Sequence, residues 1–104
     1  MSSSEAEIEQ AIRANNPTAD RLTPGDINAV IDTEQYHVFP GTTLTVCALT
    51  LKNGFVVTGE SAAADAANFD EAIGRRIARD NARNRIWALE GYLLRQRISE
   101  RAGR

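Results

Sequence analysis

Lys52-Asn53-Gly54 lies between two apolar, β-prone runs, LTVCALTL and FVVTGES. An Asn-Gly pair in that setting is the strongest local signal for a β-hairpin, because the tight turn that matches strand twist needs positive φ at both central residues. The strands are predicted near residues 43–51 and 55–60. A two-residue turn would set Leu51 opposite Val56 and Leu49 opposite Thr58, with Thr50 and Val57 on the other face. Both faces carry apolar residues, so cover is expected on both, from this chain or from another subunit. Upstream, Tyr36-His37-Val38-Phe39 reads as a short strand ended by the Pro40-Gly41 turn. The simplest sheet is a three-stranded antiparallel meander.

Helical patterns flank it. Ser4-Glu5-Ala6-Glu7 has the form of a capping box, with Ile8, Ala11 and Ile12 following at helical spacing, which predicts a helix over residues 5–14 with a narrow apolar face. Thr23-Pro24-Gly25-Asp26 predicts a second, short helix: Thr23 as cap, Pro24 at the first helical position and Asp26 near the positive dipole end. Ile27, Val30 and Ile31 would form its buried face. After a small-residue connector, SAAADAAN over 61–68, Asn68 with Glu71 is expected to cap a long helix. Phe69, Ile73 and Ile77 define its apolar stripe. Thirty helical residues exceed the usual length, so a kink near Trp87 or Gly91 is expected. The fold class is therefore α+β in a single domain over residues 1–104. It comprises an acidic N-terminal helical region (1–35), a β-meander (36–60) and an Arg-rich C-terminal helix (68–98).

Charge is divided along the chain. Residues 1–68 hold three basic and nine acidic side chains, a balance of −6, and residues 69–104 hold nine basic and five acidic, a balance of +4, for the net −2 of the whole. Eleven of the twelve basic residues are arginine, and the guanidinium fork binds carboxylate or phosphate bidentately. The simplest use of this division is for the basic helix to pair with the acidic N-terminal part, within one chain or between subunits. The single cysteine, Cys47, excludes an internal disulfide and suits a reducing compartment. The opening segment MSSSEAEIEQ lacks a signal-peptide pattern, and no apolar run reaches spanning length. A cytoplasmic protein without membrane contact is expected.

Catalysis has little to stand on. His37 belongs to no triad or metal-ligand spacing and reads as a strand residue half covered by its neighbours; Cys47 reads as a small core residue. Asp70 and Glu71 are explained by helix capping and the dipole. No phosphate-loop, zincin or nucleophile-elbow pattern occurs. No enzyme, metal or cofactor is expected.

The Arg-rich helix offers more. Arg75, Arg79 and Arg83 recur every fourth residue and form one ridge with Arg76 alongside; Glu71 can pair with Arg75 and Arg76 with Asp80. Asn81 and Asn84 fall on the stripe begun by Phe69, Ile73 and Ile77, where an amide must find partners. These amides either bond another helix and fix an oligomer register, or join the arginines in a site for an anionic ligand such as a nucleotide. In the second case Trp87 or Tyr92 would serve as stacking surface. Nucleic-acid binding trails, because Asp80, Glu90 and Glu100 interrupt any phosphate-tracking surface and the chain is slightly acidic overall.

The segments LTVCALTLKNGF, VTGESA, NFDEAIGRRIA and IW.LEGYLL, within residues 36–98, together resemble a family of small, largely uncharacterised tailed-phage proteins. The family is named for gene product forty-nine of phage N-four and gene product sixty-six of phage Sf-six. Its members often carry proline after the tryptophan, where this chain has Ala88. The resemblance implies a phage or prophage origin and action in the infected host cell; it brings no activity and no functional residues. Small non-catalytic phage proteins generally act by stoichiometric binding. The leading expectation is a homo-oligomer that sequesters a small anionic defence signal of cyclic-nucleotide type through Arg75, Arg79, Arg83, Asn81, Asn84, Trp87 and Tyr92. The alternative is a protein–protein module that inhibits a host factor.

Overall fold

A computed structural model describes residues 2–15 and 20–103. Its elements are α1 (Ser2–Asn15), α2 (Pro24–Ala29), β1 (Ile31–Val38), β2 (Leu44–Leu51), β3 (Val56–Ala62), a 3-10 turn (Ala66–Asn68) and α3 (Glu71–Arg101). The strands form one antiparallel sheet in the order β1-β2-β3, the meander read from the sequence, and the fold is α+β. Helix α2 starts as its residues dictate: the Thr23 hydroxyl accepts from the Asp26 N–H at 3.1 Å and the Asp26 carboxylate accepts from the Thr23 N–H at 3.0 Å.

Several local expectations are corrected. Helix α1 begins at Ser2, so Ser4 lies in its first turn and is not its cap. Ile31 opens β1, which is twice the length anticipated, because α2 stops at Ala29. The cap of α3 is Asp70, whose carboxylate accepts from the Ile73 N–H at 3.2 Å; Asn68 belongs to the preceding 3-10 turn. Helix α3 runs unbroken for 31 residues, past Trp87 and Gly91. Ala88 keeps the backbone donor that a proline would remove.

The hairpin turn is also different. The Gly54 N–H bonds to the Leu51 carbonyl at 2.8 Å, Gly54 has φ 91°, and the Leu51 N–H bonds to the Phe55 carbonyl at 2.8 Å. This is a three-residue loop closed by a left-handed glycine bulge, not the two-residue turn. Register therefore slips by one, pairing Leu49 with Val57 and Thr50 with Val56. A one-residue slip moves alternate side chains to the opposite face. Val57 turns inward with Leu49, and Val56 turns outward, 48% exposed.

Helix α3 covers one sheet face only. Thr45, Cys47, Leu49, Leu51 and Val57 are buried beneath Ala78, Ala82 and Ile86, and Ile27 of α2 seals one end. The helix lies unusually close. A Cβ on Gly59 would sit 2.1 Å from the Ala82 nitrogen and 2.4 Å from the Ala78 oxygen. The helix face that fits this gap is Gly74, Ala78, Ala82 and Ile86. The expected Phe69/Ile73/Ile77 stripe is therefore rotated to the flank, leaving Ile73 57% and Ile77 46% exposed.

Two glycine substitutions test this packing by chemical and thermal denaturation. Gly59→Ala should lose about 3 kcal/mol or more, because neither backbone can retreat without separating the layers. Gly91→Ala, where an added Cβ meets nothing within 4 Å, should gain up to about 1 kcal/mol from helix propensity.

Candidate functional site

With the small-residue stripe on the sheet, the arginine ridge falls along the β1 flank. The Arg75 guanidinium lies over the Tyr36 ring, 5.1 Å from its centroid, and pairs with Glu71 at 3.6 Å. Arg79 Nε donates to Glu34 on β1 at 2.6 Å. Arg83 reaches three groups: Glu5 of α1 at 3.0 Å, the Asn28 side chain at 2.8 Å and the Pro24 carbonyl at 3.2 Å. Each ridge arginine thus joins α3 to another part of the chain or to its own first turn. The expected Arg76–Asp80 pair does not form among the described residues.

The Arg79–Glu34 contact belongs to a small network on β1 and β2. The hydrogen bond from Arg79 holds the Glu34 carboxyl below its usual range, and the same bond holds Arg79 above its own. Burial pushes the Tyr36 hydroxyl up to about 12 and raises the Cys47 thiol, so neither is ionised near neutrality. A thiol held protonated is a poor nucleophile, as its core position implies. His37, by contrast, is exposed on the outer sheet face, edge-on to Phe39 with ring centroids 4.5 Å apart.

The remaining predicted residues separate. Asn81 Nδ2 donates to the Glu60 carbonyl at 2.8 Å. Ladder alternation sets the backbone groups of Val56, Thr58 and Glu60 toward the open edge of β3, so Asn81 occupies one carbonyl that has no strand partner. Tyr92 is 71% exposed on the part of α3 beyond the sheet. Arg83, Asn84 and Trp87 do converge. They line a cavity of about 470 Å³ between α1 and the side of α3 turned away from the sheet, together with Glu5, Ile8, Glu9, Ile12, Leu22, Pro24 and Asp80. Asp80, Arg83, Asn84 and Trp87 follow the i, i+3, i+4, i+7 pattern of one helix face.

The carboxylates Glu5, Glu9 and Asp80 were missed as cavity residues by sequence reasoning. The division of charge pointed to acidic partners for the arginines, but spacing along one chain does not say which carboxylate meets which arginine. The cavity is mixed in character: Trp87, Ile8, Ile12 and Leu22 supply apolar wall, one arginine and one amide supply donors, and three carboxylates supply acceptors. Among the described residues no group of His, Cys, Asp and Glu is arranged to hold a metal ion, and no helix is long and apolar enough to cross a membrane.

The profile described as Phage protein (N4 Gp49/phage Sf6 gene 66) family matches residues 22–98. The chain belongs to this family. The match begins at Leu22, upstream of the strand and helix motifs that first suggested it, and takes in α2, the whole sheet and nearly all of α3. No curated protein and no solved structure matches the chain. The family assignment makes this a phage protein, and it suggests an accessory role.

The Glu34–Arg79 pair gives a pH test. Because the folded carboxyl is held low, its contribution is present above the ordinary glutamate range and is lost as pH falls through the folded value. Glu34→Gln should be less stable than the native chain at pH 7 by about 0.5–1 kcal/mol, the scale of a partly exposed pair. The difference should shrink as pH falls below the ordinary glutamate range, read from urea midpoints at each pH.

Proposed function

We propose that this phage protein works without catalysis, by stoichiometric binding in the cytoplasm of the infected bacterium. We further propose that its ligand is a small anionic signal of cyclic-nucleotide type, bound at the cavity between α1 and α3. The observation that carries this reading is the convergence of Arg83, Asn84 and Trp87 on one cavity of about 470 Å³, a volume within the usual ligand range of about 300–1,000 Å³. A cyclic nucleotide offers flat bases, anionic phosphodiesters and base-edge N–H donors. The indole of Trp87 supplies a stacking face, worth about 1–3 kcal/mol per base. The Arg83 fork supplies an anion contact. Asn84, Glu9 and Asp80 supply hydrogen-bonding groups for base edges, the carboxylates accepting from exocyclic amines.

A thermal-shift panel of cyclic di- and trinucleotides tests the reading. A matching ligand at a hundred times its Kd should stabilise the fold by about 2.7 kcal/mol. Trp87→Ala and Arg83→Gln should each weaken it tenfold or more. Absence of stabilisation by every member of the panel overturns the ligand.

Self-association of the chain is supported by its elongated shape. The radius of gyration is 16.8 Å, against about 13 Å for a compact chain of this size. Helix α3, about 46 Å long at 1.5 Å per residue, runs well past strands of about 26 Å. Ile73 and Ile77 lie open on its flank. Light scattering should give a multiple of the 11.4 kDa chain mass, reduced by Ile73→Ser with Ile77→Ser; a monomeric native chain would exclude a homo-oligomer. The competing reading, a module that inhibits a host protein, uses the same flank. It requires one defined bacterial partner that the native chain captures and the double variant does not.

A further inference from the structure

Helix α1 has little apolar cover to hold it. Ile8 is 59% exposed and Ile12 39% exposed, although both line the cavity against Trp87 and Leu22. Among the described residues its polar attachments to the rest of the protein are Glu5 to Arg83, at 3.0 Å, and Glu9 to Arg21. Both arginines are largely buried, with side chains 13% and 19% exposed. Arg21 Nε has no hydrogen-bond partner among the described residues. The helix is therefore clipped down chiefly by charge over a cavity that its own apolar residues do not fill.

Glu5 has a second consequence. Among the described residues Arg83 is the only cation lining the cavity, and its Nη1 already donates to Glu5, its Nη2 to the Pro24 carbonyl and its Nε to Asn28. An incoming anion competes with this carboxylate for the guanidinium, three of whose five N–H groups are already engaged. We propose that α1 is an autoinhibitory lid: Glu5 stands in the place of the ligand's anion on Arg83, and the Glu5–Arg83 and Glu9–Arg21 pairs keep the cavity closed until an anion competes for the clip. This inference rests on the anionic-ligand reading for its biological use, but the lid itself is testable without any ligand.

Charge clips and apolar contacts respond oppositely to salt. Screening shortens the Debye length from about 10 Å at 0.1 M to about 3 Å at 1 M and weakens the clips, whereas apolar contact does not weaken. Trp87 is the only tryptophan and lines the cavity, so its accessibility to the neutral quencher acrylamide reports the lid. In the native chain the quenching constant should rise at least twofold between 0.05 and 1 M NaCl. Glu5→Gln and Glu9→Gln, both outside the core, should start at the high value and stay flat. Retained helical circular dichroism would show that the fold persists. A native constant independent of salt, or variants indistinguishable from it, overturns the lid. The second arm uses whichever cyclic nucleotide gives the largest thermal shift, or cyclic di-AMP if none does. Glu5→Gln should bind it at least threefold more tightly than the native chain, despite losing a cavity contact. Equal or weaker binding by the variant, with native binding intact, overturns the autoinhibition and leaves the ligand reading standing. Salt-dependent opening with no nucleotide bound by either chain confirms the lid and removes the ligand.

Discussion

The close approach of α3 to β3 at Gly59 sets almost everything else. With no Cβ on the strand, helix and sheet backbones meet around Ala78, Asn81 and Ala82, and only small side chains fit between them. Gly74, Ala78 and Ala82 occupy that line for this reason. Gly74 also leaves room above the buried Thr45 hydroxyl, which would lie 3.0 Å from a Cβ there. Once these residues face the sheet, 3.6-residue periodicity fixes the rest of the helix. The arginine ridge falls toward β1 and α2, Asn81 falls on the β3 edge, and Ile73 and Ile77 are carried out of the core.

That constraint explains what the residues disclosed in advance and what they hid. The meander, the α2 cap and the length of α3 follow from local chemistry: β-prone runs around Asn53-Gly54, a Thr-Pro-x-Asp cap, and sustained helical spacing. The buried face of α3 did not, because periodicity weights large apolar residues and the winning face is made of glycine and alanine. Its signal was the match between Gly59 on a strand and Gly74-x-x-x-Ala78-x-x-x-Ala82 on a helix, which needs tertiary packing to be recognised. The hairpin register failed for a similar reason. Asn-Gly supports both a two-residue turn and a type I turn followed by a left-handed glycine, and the choice moves Val57 from one face to the other.

The candidate site was legible in part. Arg83, Asn84 and Trp87 share one helix face, and the fold gathers them at a cavity. Arg75, Arg79, Asn81 and Tyr92 lie elsewhere, since four-residue spacing winds slowly around the helix and neighbouring elements claim each position separately. Arg79 meets Glu34 and Arg75 lies over Tyr36. The Asn81 amide is satisfied by an edge carbonyl within the same chain, so it needs neither a second helix nor a ligand to be stable there.

The division of charge along the chain is resolved in part within it. Arg79 pairs with Glu34, Arg83 with Glu5 and Arg101 with Asp20, each joining the basic helix to the acidic N-terminal part, and Arg21 pairs with Glu9 inside that part. Two of these four pairs hold α1, the element with the weakest apolar anchorage, and one of those uses Arg83, which lines the cavity. Ordinary core packing would have anchored α1 through Ile8 and Ile12, and salt would then leave it undisturbed. Anchorage through charge makes the helix responsive to ions that the core of the protein ignores. A small fold with one rigid layer contact and one electrostatic one thus separates stability from response: Gly59 against α3 carries the first, and Glu5 against Arg83 the second.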